Sequence, residues 1–170
     1  DWAMLPNLAK SMEGNEAVLV MSAGNQRLQF PTFPAHYAIA EDENGDLMLG
    51  GKAIIAGNWD VRTNRLATSS NAAGTMCLEF DANGECANDR RISDWYILAP
   101  GQWVAAPDKD GEYVVNSGTS MAAPAVSGGI AIIHQMWPHM KGENLVQLLL
   151  NTADKTIAGY DENIHGQGLM

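Results

Sequence analysis

Gly118-Thr119-Ser120-Met121-Ala122-Ala123-Pro124, with the nearly uncharged run from Ala125 to Trp137 behind it, is the stretch on which the fold reading turns. Gly, Ala, Val, Ile and Met fill the run. A segment apolar on every side at this length predicts a helix buried all round. Pro124 fits the first turn of that helix, where its missing N–H leaves no gap, and Pro138 stands where the helix should stop. Ser120 then lies at the positive end of the helix dipole, beside backbone N–H groups without helical partners, with Gly118 and Thr119 leaving room for approach. Two roles suit a serine there. Its oxygen can cap a backbone donor, worth about 1 kcal/mol, or it can act as a nucleophile.

The literal string separates them. GTSMAAP, preceded by Asn116-Ser117 and followed by Val126-Ser127-Gly128, resembles the nucleophile motif of the subtilisin-like serine peptidases. Upstream, Val18-Leu19-Val20-Met21-Ser22-Ala23-Gly24-Asn25 resembles the strand and turn that carry the oxyanion-hole asparagine of that family. Ala53-Ile54-Ile55-Ala56-Gly57, Ser69-Ser70-Asn71 and Leu98-Ala99-Pro100-Gly101 lie between them, each similar to a family landmark and in the family's order. The resemblance runs from Val18 to Asn151, with a weaker echo at His165-Gly166-Gln167-Gly168-Leu169, and covers only part of the family's catalytic domain.

That resemblance implies an endopeptidase in which Ser120 attacks a peptide carbonyl while Asn25 and the backbone N–H of Ser120 hold the oxyanion. It also implies substrate-binding walls at Ser22, Ala23, Gly24, Gly118 and Thr119. The implied fold is α/β: an open, mostly parallel sheet with helices on both faces, incomplete at its N-terminal side. The triad order in subtilisin is Asp, His, Ser, so both partners should precede Asn25. The 24 residues there hold one Asp, Asp1, and no His. His36 falls where the family has no catalytic base, His134 is expected to pack inside the buried helix, and His139 and His165 follow the serine. Residues 1–170 therefore read as the C-terminal portion of a catalytic domain, one truncated domain inactive alone, with its missing N-terminal half as a partner and a peptide or protein as substrate. Removing strands exposes apolar surface and unpaired backbone, so the isolated chain is expected to be marginally stable or to self-associate.

Two other readings compete. A subtilase-like domain that lost its Asp and His could persist as a binding module. Gly118-Thr119-Ser120-Met121-Ala122 is one residue short of the Gly-x-Ser-x-Gly elbow of α/β-hydrolase esterases, with Asp154 and His165 following in their order; this requires His165 to reach Ser120.

Twenty acidic side chains against ten basic ones give a net charge of −10, which repels phosphates and argues against nucleic acid. No uncharged apolar run is long enough to span a membrane, and the N-terminus lacks the pattern of a signal peptide. Beginning at Asp1 suits a processed product. Cys77 and Cys86 are too few for a four-ligand zinc site. They are either two free thiols or, in an oxidising compartment, a disulfide worth roughly 2.7 kcal/mol in the chain-entropy model. Some subtilisin-like passengers of Gram-negative autotransporters have a cysteine pair in this neighbourhood, so the resemblance implies a secreted or cell-surface protein.

The remaining chain reads as follows. Asp1 to Met12 has the apolar spacing of an amphipathic helix, and Val18 to Met21 is a short strand covered on both faces. Asp42-Glu43-Asn44-Gly45-Asp46 does not follow the EF-hand spacing and reads as a tight hairpin turn; no metal ligands are assigned, and the resemblance allows a structural calcium without fixing its site. The chemistry requires no cofactor. Lys52 to Gly57 is a buried strand, Asn58 to Ser70 a polar connection, and Asp89-Arg90-Arg91 a solvated cluster. Trp95 to Leu98 is a strand, and Gln102–Ala106 pairs with Glu112–Val115. Glu143 to Ala153 is a surface helix turning Leu145, Leu148, Leu149 and Thr152 inward.

Overall fold

A computed structural model describes residues 2–77, 82–86 and 90–170. Its centre is β2 (Ala53–Asp60), which lies parallel to β1 (Leu19–Ser22) on one side and to β4 (Tyr96–Pro100) on the other. Successive strand side chains point to opposite faces, and every β2 residue from Ala53 to Trp59 is buried. Both faces of this strand are therefore covered, as its uninterrupted apolar run requires. A short antiparallel β3 (Arg65–Leu66) returns along Trp59 and Asp60. β5 (Val104–Pro107) and β6 (Tyr113–Asn116) form a separate antiparallel hairpin, the pairing expected, with Val104 opposite Asn116 and Pro107 opposite Tyr113.

Among the described residues four α-helices complete the architecture. α1 (Leu5–Met12) buries Leu5 and Met12, and the chain leaves it through Gly14 at φ +67°. α2 (Thr119–Met136) packs across β1, β2 and β4. Behind it lies α3 (Gly142–Asn151), whose first N–H groups receive the Glu16 carboxylate at Gly142, a favourable placement at a helix N-terminus. α4 (Glu162–His165) is capped by Asp161, which accepts from the Asn163 N–H at 2.9 Å. No helix among the described residues is long and apolar enough to cross a membrane.

Several expectations need correction. α2 is not buried all round. It hides one stripe, Thr119, Ala122, Val126 and Ile130, while Ile132 and Met136 are 63% and 64% exposed. The sheet covers one side of this apolar helix and α3 and Met170 touch it at Gly129, while the flank that carries Ile132 and Met136 is left bare. His134 is for the same reason exposed rather than packed. Because α2 starts at Thr119, Pro124 is past the first turn and lies inside the helix. Its missing N–H leaves the Ser120 carbonyl without the usual i→i+4 donor.

β2 extends through Asn58 and Trp59, both buried, which had read as connection. Trp95 ends a 3₁₀ turn (Ile92–Trp95) instead of opening β4. α3 turns Leu145, Val146, Leu149 and Leu150 inward, leaving Thr152 exposed, since the face it presents is rotated from the one the leucines alone suggested.

The hairpin turn at Asp42–Asp46 is present. Its Asp42 carboxylate accepts from the N–H groups of Asn44 at 2.8 Å and Asp46 at 3.0 Å, and these bonds hold it below the usual carboxylate range. Arg90 is not merely solvated: it donates to the Glu41 carboxylate at 3.0 Å and the Gly45 carbonyl at 2.8 Å, clamping that turn. Asp89 lies outside the described residues. Cys77 and Cys86 are disulfide-bonded, with Cα atoms 5.8 Å apart.

Candidate active site

In an open parallel sheet, ligands gather beyond the carboxyl ends of the strands, and three segments converge there. β1 ends at Ser22 and delivers Ala23, Gly24 and Asn25. β4 ends at Pro100 and delivers Gly101. α2 points its N-terminus between them. The seams are hydrogen bonds: Ala23 N–H to Ala56 O (3.0 Å), Gly24 N–H to Thr119 Oγ1 (3.2 Å) and Gly118 N–H to Gly101 O (2.9 Å).

Thr119 is the buried pivot, with no exposed surface. Its N–H donates to Asn25 Oδ1 at 2.9 Å and its hydroxyl reaches the same oxygen at 3.3 Å. A backbone N–H can only donate, so this bond fixes which end of the Asn25 amide is oxygen and leaves Nδ2 as the donor end. Gly118, the N-cap of α2, has φ +149° and ψ +170°, a conformation open essentially to glycine alone. A Cβ on Gly118 would lie 3.3 Å from the Asn25 amide, so glycine also permits the close approach.

Ser120 is the second residue of α2. It does not cap the helix: Gly118 holds that position, with no side-chain cap bond. The Ser120 side chain is exposed, and among the described residues neither its hydroxyl nor its backbone N–H has a hydrogen-bond partner. Asn25 is thus bonded to the residue next to Ser120, and among the described residues Asn25 Nδ2, Ser120 N–H and Ser120 Oγ–H are three donors without partners. Such a set can hold and attack a polarised carbonyl, given a base.

Two of the four histidines are engaged elsewhere. His36 Nε2 is bonded to the Pro31 carbonyl at 2.9 Å. His165 Nδ1 accepts from the Asp161 N–H at 3.0 Å, and its ring stacks on Tyr160 and meets Trp59 edge-on. Asp154 Oδ1 accepts from Thr156, not from a histidine. The esterase reading fails on this geometry, because its acid and base are both engaged elsewhere.

Asn71 had no assigned role in the sequence beyond its landmark string. Fully buried, it accepts the N–H groups of Gln26 (2.9 Å) and Leu28 (3.0 Å), donates to the Ala23 carbonyl (3.0 Å), and bonds Gly24 O through its own N–H (2.9 Å). It shapes the turn that presents Asn25. A buried asparagine after two serines was the available signal, but its partners lie some 45 residues away in the chain.

The fold and site define an open α/β protein with a serine at the start of a sheet-packed helix. Residues 2–168 match the sequence profile of the Subtilase family, and the chain belongs to that family of serine proteases. It is 27% identical to Subtilisin BL of Lederbergia lenta over 168 residues, 99% of this chain and 49% of that protein. The minor extracellular protease Vpr of Bacillus subtilis (strain 168) is 29% identical over 136 residues, 74% of this chain and 16% of Vpr. Among solved structures, the prenylagaramide maturation protease PagA superposes with a TM-score of 0.71 at 19% identity, covering 99% of this chain and 52% of that one. A cold-adapted subtilisin-like serine proteinase gives 0.68 at 20%, covering 99% and 50%. The chain spans about half the length of the subtilisins it matches.

Proposed function

We propose that this chain is the C-terminal portion of a serine endopeptidase catalytic domain. Ser120 is the nucleophile, Asn25 Nδ2 and the Ser120 N–H receive the oxyanion, and Ser22, Ala23, Gly24, Gly118 and Thr119 line the substrate cleft. The observation that supports this is the Thr119-to-Asn25 bond, which ties the asparagine to the residue next to a serine whose own donors have no partner among the described residues. The substrate is a peptide or protein, and acyl transfer of this kind requires no cofactor.

The His and Asp that would complete the triad belong to the missing N-terminal half, so residues 1–170 alone have no appreciable turnover. Family and half-length matches support this, as does the engagement of His36 and His165 elsewhere. The relatives include an extracellular and an intracellular protease, so the placement outside the cytoplasm, as a secreted or cell-surface protein of the autotransporter-passenger type, rests on the disulfide.

A fluorophosphonate probe tests the reading. The full-length gene product should be labelled and Ser120→Ala should not, while the isolated chain stays unlabelled. Labelling of full-length protein that persists in Ser120→Ala would overturn the nucleophile assignment. A full-length protein that is unlabelled, with the upstream Asp and His replaced, would favour the binding-module alternative.

A further inference from the structure

Three cavities of about 680, 530 and 290 Å³ share one residue, Leu66 of β3, and together form a depression beside the candidate site. The three non-glycine residues with positive φ among the described residues are Arg27 (+61°), Asn64 (+54°) and Trp103 (+58°). Each lines a different one of these cavities. For a bulky side chain this backbone conformation is strained by about 1–3 kcal/mol, and such strain persists where the surroundings enforce it, often at functional sites. Here it gathers around one surface.

The chemistry of that surface is cationic in an acidic chain. Three of the five arginines, Arg27, Arg62 and Arg65, line it. Among the described residues none of the three forms an ion pair. Asp60, the one carboxylate among the residues that line these cavities, accepts the Arg62 backbone N–H at 3.0 Å, and the Arg62 charge acts on it without a direct ion pair. Trp103 is 60% exposed, and the Arg62 guanidinium sits 5.3 Å from its ring centroid. An exposed indole with a guanidinium over its ring presents apolar surface and positive charge together, an amphipathic platform for a peptide.

The depression is tied to the reaction centre at both ends. Arg27 follows Asn25 by two residues, and its N–H donates to the Ser69 carbonyl at 3.2 Å, on the Thr68–Ser70 rim. At the other end the Trp103 N–H donates to Ser117 Oγ at 2.9 Å, three residues before Ser120. A polypeptide lying across Ser120 therefore has this basic surface next to it.

We propose that the depression around Leu66 binds a carboxylate-bearing stretch of the peptide substrate, with Arg27, Arg62 and Arg65 as its cationic partners and Trp103 as its platform. The proposal rests on the peptidase reading for the identity of the ligand as substrate, but binding does not need the chemistry. Guanidinium groups pair carboxylates through two parallel hydrogen bonds. Set in a chain of net charge −10, the local cationic field also selects which part of an acidic peptide can approach.

The test uses the full-length gene product carrying Ser120→Ala and fluorescent peptides that differ only in Glu against Gln at successive positions, read by anisotropy. At one position or more the Glu peptide should bind about tenfold tighter or more. That preference should shrink with added salt and vanish in the Arg27→Gln/Arg62→Gln/Arg65→Gln variant, whose circular dichroism and melting temperature are checked. Should the triple variant fail to fold, Arg62→Gln alone must lose part of the preference and Arg62→Lys keep more of it. Equal affinity for Glu and Gln peptides, a preference untouched by the arginine variants, or no binding of either peptide overturns the proposal. Fluorophosphonate labelling of the unmutated protein reports separately on Ser120, so an acid preference without labelling would sink the peptidase reading and leave this one standing.

Discussion

The Thr119 N–H donates to Asn25 Oδ1 at 2.9 Å across 94 residues of sequence. One bond both satisfies an orphan donor of the α2 N-terminus and anchors the Asn25 amide. With Nδ2 as an oxyanion donor, Asn25→Ala should lower kcat of the full-length protein by about 10²–10³ with little change in KM, as removal of the corresponding donor does in subtilisin. Steady-state kinetics on a peptide substrate measure it; an unchanged kcat would remove Asn25 from the mechanism.

Thr119→Val keeps the volume and loses the hydroxyl that accepts from Gly24 N–H at 3.2 Å. Stability should fall by about 1 kcal/mol, since a part-buried donor loses its partner. Activity should fall as well, because Gly24 is the neighbour of Asn25. Chemical denaturation and kcat on the same preparation separate the two effects.

Gly118→Ala places a Cβ 3.3 Å from the Asn25 amide and forces alanine into φ +149°. The backbone strain alone amounts to about 1–3 kcal/mol. Both a lower melting temperature and weaker fluorophosphonate labelling are expected, with the labelling loss exceeding what the fraction unfolded explains.

The uncovered side of α2 predicts the behaviour of the 170-residue chain by itself. Ile132, Met136 and Trp137 are 63%, 64% and 46% exposed on or just past one helix, an apolar surface that water disfavours. Sedimentation velocity should show concentration-dependent self-association, reduced by Ile132→Lys together with Met136→Lys. A clean monomer at every concentration would argue that this face is tolerated in water.

His165 gives the fold a pH dependence of definite sign. Its ring is 7% exposed, and burial lowers its pKa from the ordinary 6.5, with hydrogen bonding and the charge of Asp161 opposing. Below 6.5 the unfolded chain binds the proton that the folded ring resists, so the folded state loses stability as pH falls through 6.5 and keeps it above. Urea midpoints measured across that range should decline on acidification, and His165→Phe should flatten the decline.

The central run of β2, strands β1 and β4 in outline, the order of the landmarks, the hairpin of β5 and β6 and the position of Ser120 were legible in the sequence, because each depends on local periodicity or on a literal string; β3, inside a stretch that read as a connection, was not. Helix α2 was legible as a helix but not in its surroundings. Composition reports that a face is apolar, whereas exposure depends on which other elements pack on it, and here the sheet and α3 leave the Ile132 and Met136 flank uncovered. The role of Asn71 and the gathering of three arginines around Leu66 were likewise invisible, since they join segments far apart in sequence.

The sequence by itself determined that this is an α/β subtilase chain with a serine at a helix start and an asparagine at a strand end, since those identities are written in contiguous residues. Only the tertiary structure decided that Thr119 links the two, that His165 is turned away toward Tyr160 and Trp59, and that one flank of α2 lies bare. Hydrogen-bond partners and burial are properties of distance in space, and separation along the chain does not encode them.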